Sequence, residues 1–214
     1  MELTLCHVSR KRKRHLQDLS FTVKNGFITG LVGKNGAGKT TLFHTIMSVK
    51  KDYDGEILAD GMPLVKNRER CMNRIGFVSE EPLFFMNKTA GENALLYAPL
   101  YDVFDRDGFM QRLKDMGVPA GIALEKLSKG EYIKFQLCFA AAHDSRLYLL
   151  DEATAGMDVV FKKEFFRFLH EQVAREDVAV LMSTHIEEDI DQHMDYVCLL
   201  SEGKMASFGE AAGK

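Results

Sequence analysis

A glycine-rich segment at residues 33–41 constrains the fold of this chain more than any other stretch. It fits the phosphate-loop pattern G-x-x-x-x-G-K-[ST], whose fixed positions are filled by Gly33, Gly38, Lys39 and Thr40. Such a loop needs a buried strand before it and a helix after it, because its backbone N–H groups surround an anion at the N-terminus of that helix. The composition of residues 27–32 predicts the strand, and that of residues 39–49 predicts the helix. The sequence therefore predicts a site for the phosphates of a nucleoside triphosphate.

The residues of this loop have distinct expected roles. We expect the loop and the first helical turn to bind the nucleotide through Asn35, Gly36, Ala37, Gly38, Lys39, Thr40 and Thr41. The Lys39 side chain is expected to reach the β- and γ-phosphates as a catalytic cation, and the Thr40 hydroxyl to take one Mg²⁺ position. The alternative is a glycine-rich turn with an unrelated lysine, and the flanking strand and helix argue against it.

Length and composition narrow the class of protein. The chain has 214 residues, of which 46% are hydrophobic and 28% charged, which is typical of one globular α/β domain with or without an inserted subdomain. Its net charge of −3 gives no reason to expect nucleic acid as a partner. No apolar run approaches the roughly 18 residues that span a bilayer, so any membrane role is expected to be indirect. The four dispersed cysteines suit a reducing cytosol and apolar packing.

Short apolar runs alternate with helical segments along most of the chain. The runs at 74–78, 146–150, 178–182 and 196–200, together with the strand before the phosphate loop, predict a mostly parallel sheet covered on both faces. Residues 2–32 alternate apolar and polar positions, which predicts short antiparallel strands. Three dipeptides are interpreted as turns, the first of them as a tight hairpin: Asn25-Gly26, Asp54-Gly55 and Asp60-Gly61.

The apolar spacing becomes helical after the buried run at 74–78. Between residues 80 and 142 apolar side chains recur at helical intervals, and prolines divide the segment into several short helices. We therefore expect a single α/β domain over residues 1–214. Residues 1–79 and 143–214 would form a phosphate-loop (RecA-like) core with an N-terminal antiparallel β subdomain, and residues 80–142 an inserted helical subdomain.

Asp151 and Glu152 follow the apolar run at 146–150 and complete the catalytic pattern. A carboxylate at the end of a buried strand can hold Mg²⁺, which assigns Asp151 to the metal. Glu152 could polarise the attacking water in hydrolysis. A small-molecule kinase has no use for that second carboxylate, because its substrate is the nucleophile.

Further segments resemble the ATP-binding cassette (ABC) ATPases. Residues 127–131 read Leu-Ser-Lys-Gly-Glu and resemble the family signature Leu-Ser-Gly-Gly-Gln, with departures at Lys129 and Glu131. Residues 155–158 resemble the family's D-loop, which ends at Asp158, and His185 falls where the family has its switch histidine. With the two phosphate-site motifs, the resemblance spans about residues 2–210.

The resemblance implies that two such chains, identical or related, close head to tail on two ATP molecules. It implies catalytic roles for Glu152, His185 and Lys39, with ATP as substrate and Mg²⁺ as cofactor. The signature residues would act on the ATP of the partner chain: Ser128, Lys129, Gly130 and Glu131.

Residues 75–82 and 89–93 resemble ATP-binding subunits of bacterial ABC-2 type exporters. That resemblance implies a separate transmembrane permease subunit and a cytoplasmic location on the inner face of the cell membrane, with no nucleic acid partner. A cassette ATPase of a non-transport assembly, such as iron–sulfur cluster building, is the alternative. A regulator that binds nucleotide without hydrolysing it is a further alternative, which a Mg²⁺-dependent turnover assay would test.

Two departures from the family pattern bear on the site. Glu80 stands where the family usually has a glutamine that bridges Mg²⁺, water and the membrane partner, so we expect Glu80 to be a metal ligand with an added negative charge. The family also stacks adenine on an aromatic residue of the first hairpin. Residues 10–15 contain no Tyr or Phe, so an arginine or His15 would have to stack instead.

After Glu80, Phe84 and Phe85 either contact a coupling helix of the membrane subunit or pack in the core.

Overall fold

The computed structural model describes residues 1–10, 16–48 and 52–211. The basic cluster at 11–14 and His15, considered above as a base-stacking element, lie outside these ranges. Ten strands are described: β1 (Leu3–Arg10), β2 (Leu19–Val23), β3 (Ile28–Val32), β4 (Tyr53–Ala59), β5 (Met62–Pro63), β6 (Ile75–Ser79), β7 (Leu147–Asp151), β8 (Ala179–Thr184), β9 (Tyr196–Ser201) and β10 (Lys204–Glu210).

Seven α-helices accompany these strands within the described ranges. They are α1 (Lys39–Met47), α2 (Arg68–Met72), α3 (Ala90–Tyr97), α4 (Arg106–Asp115), α5 (Lys129–Ala142), α6 (Val159–Val173) and α7 (Glu187–His193), with 3₁₀ turns at Ala98–Leu100 and Leu124–Lys126. Among the described residues, no helix has both the length and the apolar character needed to cross a membrane.

The larger sheet contains six strands in the order β10-β9-β3-β8-β7-β6, and all of its neighbouring pairs except β10–β9 are parallel. This arrangement confirms the mostly parallel sheet predicted from the alternation of strands and helices. The register pairs Ser79 with Asp151 and Asp151 with Ser183 at the carboxyl ends of three neighbouring strands. The polar residues that follow these strands are therefore gathered at one edge of the sheet.

The smaller sheet is antiparallel, in the order β2-β1-β4-β5, and confirms the predicted N-terminal β subdomain. The hairpin predicted at Asn25-Gly26 and the turn predicted at Asp54-Gly55 were wrong. Asn25 and Gly26 form no hairpin, because β2 belongs to the small sheet whereas β3 belongs to the large one. Asp54 and Gly55 lie inside β4, opposite an irregularity in β1. Gly55 has a φ of +83°, and a Cβ there would lie 2.3 Å from the His7 carbonyl oxygen, so the close approach requires glycine.

Helices α3, α4 and α5 share an aromatic core of their own. Phe109 and Phe135 are fully buried in it, and Phe139 and the partly buried Phe84 pack against them. Phe84 and Ala142 are among the first and last members of this core, and the subdomain bounds of 80–142 stay a prediction.

One buried glutamine joins this subdomain to the large sheet. The Gln136 side chain on α5 accepts a hydrogen bond from the Ser79 backbone N–H at 3.1 Å and donates one to the Ser79 carbonyl at 2.8 Å. Gln136 is 1% exposed and Ser79 3% exposed, so both bonds are shielded from water. The end of β6, which leads into Glu80, is therefore fixed to α5.

Candidate functional site

The phosphate loop joins the end of β3 to α1. A Cβ at Gly33 would lie 2.4 Å from the Leu200 carbonyl oxygen, so glycine is required for the loop to pack this closely against β9. Gly38 has a φ of +112°, a conformation that favours glycine, and α1 begins at the next residue. The strand, loop and helix predicted from the sequence are all confirmed.

A cavity of about 590 Å³ opens beside this loop, which is within the usual size range for sites that bind small molecules. It is lined by Asn35, Gly36, Gly38, Lys39, Thr40, Thr41, Ser79, Glu80, Glu81, Asp151, Glu152, Ala155 and His185. Of the residues predicted for the loop, Ala37 differs: its side chain packs in the core and its N–H donates to the Lys34 carbonyl at 3.0 Å. The three predicted catalytic residues and the three predicted metal ligands all line this one cavity.

Lys39, Glu152 and His185 form a chain of polar contacts. The Lys39 Nζ atom lies 3.0 Å from Glu152 Oε1, and His185 Nδ1 lies 2.9 Å from Glu152 Oε2. Lys39 is only 5% exposed, and its ammonium also donates to the Gly33 carbonyl at 2.7 Å. A buried ammonium requires such partners, and anionic phosphate oxygens would compete with the Glu152 carboxylate for it.

Ser183 orients both acidic residues, although the sequence alone gave no reason to single it out. Its hydroxyl donates to Asp151 Oδ1 at 2.6 Å and accepts from the Glu152 N–H at 2.9 Å. Glu152 has a φ of +51°, which is uncommon for a residue other than glycine and turns its side chain toward Lys39 and His185. Ser183 lies opposite Asp151 in the β7–β8 register, a relationship that the local sequence pattern does not contain.

The segment after Glu152 is fixed by a second residue that the sequence reasoning missed. Asp189 on α7 is 2% exposed; it accepts from the Thr154 hydroxyl at 2.6 Å and lies 2.8 Å from Lys162 Nζ. This contact joins the loop that follows Glu152 to the helix that follows His185. Glu152 and His185 therefore lie on segments that are held to each other.

The oxygen ligands expected for Mg²⁺ lie on the walls of the same cavity. Thr40, Asp151 and Glu80 contribute a hydroxyl and two carboxylates, which are the hard donors that Mg²⁺ prefers. Within the described ranges, no group of three or more His, Cys, Asp or Glu side chains is arranged to hold a metal unaided. This donor set fits an ion that shares its coordination with bound phosphates and water.

The signature residues lie at the start of α5, outside the lining of the cavity. Ser128 and Glu131 form a capping box: Ser128 Oγ accepts from the Glu131 N–H, and Glu131 Oε2 accepts from the Ser128 N–H at 2.7 Å. These hydrogen bonds to Ser128 lower the pKa of the Glu131 carboxyl. Asp158 caps α6 in a similar way, because its Oδ1 atom accepts from the Phe161 N–H at 2.8 Å.

Lys129 contacts two groups of its own chain. Its ammonium forms an ion pair with Glu80 and donates a hydrogen bond to the Ala155 carbonyl at 2.7 Å. Lys129, one of the two departures from the signature, is therefore paired with Glu80, the departure from the glutamine position. The sequence indicated each departure separately but not their contact.

A second cavity, of about 430 Å³, lies between α5, β6 and the helices of the inserted subdomain. Apolar side chains dominate its lining, among them Met72, Phe77, Phe84, Leu100 and Phe139. Phe85 beside it is 50% exposed, whereas Phe84 is partly buried in the aromatic core. The core alternative considered for these two residues therefore holds for Phe84 but not for Phe85.

Known proteins resemble the chain in sequence. A protein-family profile described as "ABC transporter" matches residues 16–155. The bacitracin transport ATP-binding protein BcrA of Bacillus licheniformis is 32% identical over 206 residues, covering 95% of this chain and 66% of that protein. The ABC transporter ATP-binding protein NatA of Bacillus subtilis (strain 168) is 30% identical over 203 residues, covering 92% of this chain and 82% of that protein. The chain therefore spans just under two thirds of the first relative and about four fifths of the second.

Solved structures share the fold. A structure described as an ATP binding subunit of an ABC transporter superposes with a TM-score of 0.86 at 24% identity, covering 98% of this chain and 90% of that one. The dimeric structure of a post-hydrolysis state of the ATP-binding cassette MJ0796, bound to ADP and Pi, gives a TM-score of 0.86 at 20% identity and covers 99% of this chain and all of that one. These superpositions confirm the α/β cassette architecture expected from the sequence.

Proposed function

The chain belongs to the ABC transporter family of ATP-binding proteins, and on that premise we propose that it is the ATP-hydrolysing subunit of a bacterial exporter of the ABC-2 type. The relatives BcrA and NatA carry names of transport proteins, and the first is named for bacitracin transport. They support a transport role over the non-transport alternative, which no relative described above supports. Cargo contacts would lie in a separate membrane subunit, so no cargo is assigned.

The observation that carries this proposal is the meeting of Lys39, Glu152 and His185 in one cavity beside the phosphate loop. A phosphate loop alone would bind a nucleotide. A carboxylate held between a cation and an imidazole at the cavity wall adds a group that can polarise water for in-line attack on the γ-phosphate.

In the proposed reaction, the loop N–H groups bind the phosphates, and the Lys39 ammonium exchanges its contact with Glu152 for the β- and γ-phosphates. Glu152 then accepts a hydrogen bond from the attacking water. His185 contacts the γ-phosphate and fixes the orientation of that water. Lys39 neutralises the charge that develops on the transferred phosphoryl group.

Mg²⁺, held by Thr40 and Asp151 with Glu80 as a further ligand, would supply charge neutralisation at the β- and γ-phosphates. Asp151 can serve this purpose because the Ser183 hydroxyl occupies only its Oδ1 atom, which leaves Oδ2 available.

The active form in this proposal is a dimer of two cassettes, identical or related. Ser128 and the Gly130 N–H would contact the γ-phosphate bound to the partner chain, because the start of α5 offers free N–H groups and the positive end of a helix dipole. Glu131 would act by capping that helix, and Asp158 would lie at the seam as the end of the D-loop. The Lys129 ammonium is engaged within its own chain, so we do not place it on the partner's phosphate.

The apolar cavity between α5 and β6 is the proposed docking site for the membrane subunit. Phe85 and Leu100 are 50% and 70% exposed beside it, and the segment after Glu80 is tied to α5 through the Tyr132 hydroxyl, which donates to the Glu81 carbonyl at 3.2 Å. A helix of the membrane subunit seated there would contact the segment that carries Glu80. The proposed location is accordingly the cytoplasmic face of the cell membrane.

Two measurements test the proposal. Phosphate release by the purified chain should require both ATP and Mg²⁺, and absence of turnover under every nucleotide tested would refute the hydrolase. Detergent extraction of the native complex should then recover a polytopic membrane protein with this chain, and recovery of only non-membrane partners would refute the transport role.

A further inference from the structure

Lys129 joins the helical subdomain to two groups on the wall of the nucleotide cavity. It is the first residue of α5, and its ammonium contacts the Glu80 carboxylate and the Ala155 carbonyl, both of which line that cavity. Glu80 follows the end of β6, and Ala155 lies three residues after Glu152. Lys129 therefore bridges the two segments that enclose the cavity on the side of the inserted subdomain, without lining the cavity itself.

The charge balance of the cavity shows why such a bridge matters. Four carboxylates line it: Glu80, Glu81, Asp151 and Glu152. Glu152 is paired with Lys39, Asp151 accepts from the Ser183 hydroxyl, and Glu81 lies 3.7 Å from the His44 ring. Among the described residues, Lys129 is the cation that forms an ion pair with Glu80. A triphosphate entering this cavity would meet the Glu80 charge directly if Lys129 were neutral.

We propose that Lys129 is a positioning residue that neutralises Glu80 and holds its carboxylate at the cavity wall, so that the triphosphate can bind before Glu80 engages a divalent cation. The inference rests on the proposed function, because it takes the cavity to be the ATP site. It assigns Lys129 a role in the binding of ATP to its own chain, whereas the signature motif suggests a contact with the phosphate bound to the partner chain.

The pair is partly exposed, with side chains 42% and 46% accessible, so solvent screens its effect. Exposed ion pairs usually change equilibria by a small factor, and we expect loss of Lys129 to weaken Mg²⁺-free ATP binding about two- to fivefold at low ionic strength. When Mg²⁺ is present, the cation takes over the neutralisation of Glu80, and the factor should shrink toward one. A group that acted directly on phosphate would show no such dependence on Glu80.

The test is a double-mutant cycle on the purified chain at concentrations where it is monomeric. The dissociation constant for ATP is measured in EDTA for the parent chain, Lys129→Met, Glu80→Gln and the double variant. We expect Lys129→Met to weaken binding in the Glu80 background and to leave it unchanged in the Glu80→Gln background. Lys114→Met removes the same charge from an exposed position on α4 and serves as the matched control, expected to have no effect in either background.

Each other outcome overturns the inference. Equal weakening in both backgrounds would mean that Lys129 acts on the nucleotide directly, and no weakening in the Glu80 background would mean that the pair does not influence binding. Thermal unfolding of every variant confirms that each is folded. Failure of the parent chain to bind ATP would refute the proposed function, whereas normal binding without coupling between Lys129 and Glu80 would refute this inference alone.

Discussion

The Lys39 ammonium lies 3.0 Å from the Glu152 carboxylate, so the cation of the phosphate loop and the proposed base for water are each other's partners. This contact has a consequence for variants of Glu152. Glu152→Gln should cut steady-state phosphate release by on the order of 10²-fold or more, because an amide cannot accept the proton of the attacking water. ATP binding should be unchanged or tighter, because the competing carboxylate charge is gone.

Turnover and ATP affinity are measured on the same preparation of this variant. Glu171→Gln, an exposed substitution on α6, is the control and should leave both quantities unchanged. Parent-like turnover in Glu152→Gln would remove Glu152 from the proposed reaction.

The signature helix and α3 begin with the same capping box, which provides a matched pair of substitutions. Ser128→Ala and Thr89→Ala should each destabilise the fold by about 1 kcal/mol, since each removes one N-cap hydrogen bond. Only Ser128→Ala should also reduce ATP-dependent dimerisation and turnover, because only Ser128 is assigned to the partner's γ-phosphate. Chemical denaturation and light scattering measure the two effects. Equal loss of turnover in both variants would mean that Ser128 acts only through helix stability.

Two exposed apolar residues should separate the two proposed interfaces. Val160 and Leu100 are each 70% exposed, but Val160 lies just after Asp158 whereas Leu100 lines the apolar cavity. In a Glu152→Gln background, Val160→Asp should reduce ATP-dependent dimer formation while retaining capture of the membrane subunit. Leu100→Asp should do the reverse, because burying a carboxylate at either interface is costly. If both substitutions act on the same interface, the assignment of surfaces is wrong.

Gly76 in β6 and Gly91 in α3 should respond differently to alanine. A Cβ at Gly76 would lie 2.5 Å from the Ala140 Cβ atom and 2.8 Å from the Ser145 Oγ atom, whereas a Cβ at Gly91 meets nothing within 4 Å. Gly76→Ala should therefore destabilise the chain by about 1–3 kcal/mol through overpacking between β6 and α5. Gly91→Ala should change stability by less than about 1 kcal/mol. Denaturant titration of both variants checks the difference.

His143 should make the chain less stable in acid. Burial lowers its pKa from 6.5 to about 4, and its ring is stacked on Tyr101 at 4.0 Å between ring centres. The fold therefore favours the neutral imidazole. Its contribution to the free energy of unfolding is about 3 kcal/mol; it is fully present above pH 6.5 and is lost as the pH falls toward 4. His143→Gln should flatten the pH dependence of unfolding free energy over that interval. An unchanged slope would show that other groups dominate the acid response.

The sequence predicted most of the architecture because its strongest signals are local. The phosphate loop and the buried runs that became β6 to β9 follow from residue pattern and spacing. The hairpin predicted at Asn25-Gly26 and the turn predicted at Asp54-Gly55 failed because a turn dipeptide indicates backbone freedom and not which strands pair afterwards. At Gly55 that freedom serves a contact with the His7 carbonyl on a neighbouring strand, which no local pattern contains.

The candidate site was predictable to the extent that its residues belong to continuous motifs. Lys39, Asp151 and Glu152 were found in this way and lie together. Ser183 and Asp189 were missed because their roles arise from strand register and helix packing across the sheet. The pairing of Lys129 with Glu80 joins positions on two different subdomains, so it required three-dimensional placement.

The Gln136 amide has a consequence for self-association. Among the described strands, β6 is the outermost at one side of the large sheet, and such an edge is a template onto which another chain can add. By bonding both backbone groups of Ser79, the glutamine imitates one residue of the absent adjoining strand. Helix α5, which begins with the signature residues, thereby also covers the sheet edge at Ser79. A chain in which α5 is detached would be more prone to aggregate.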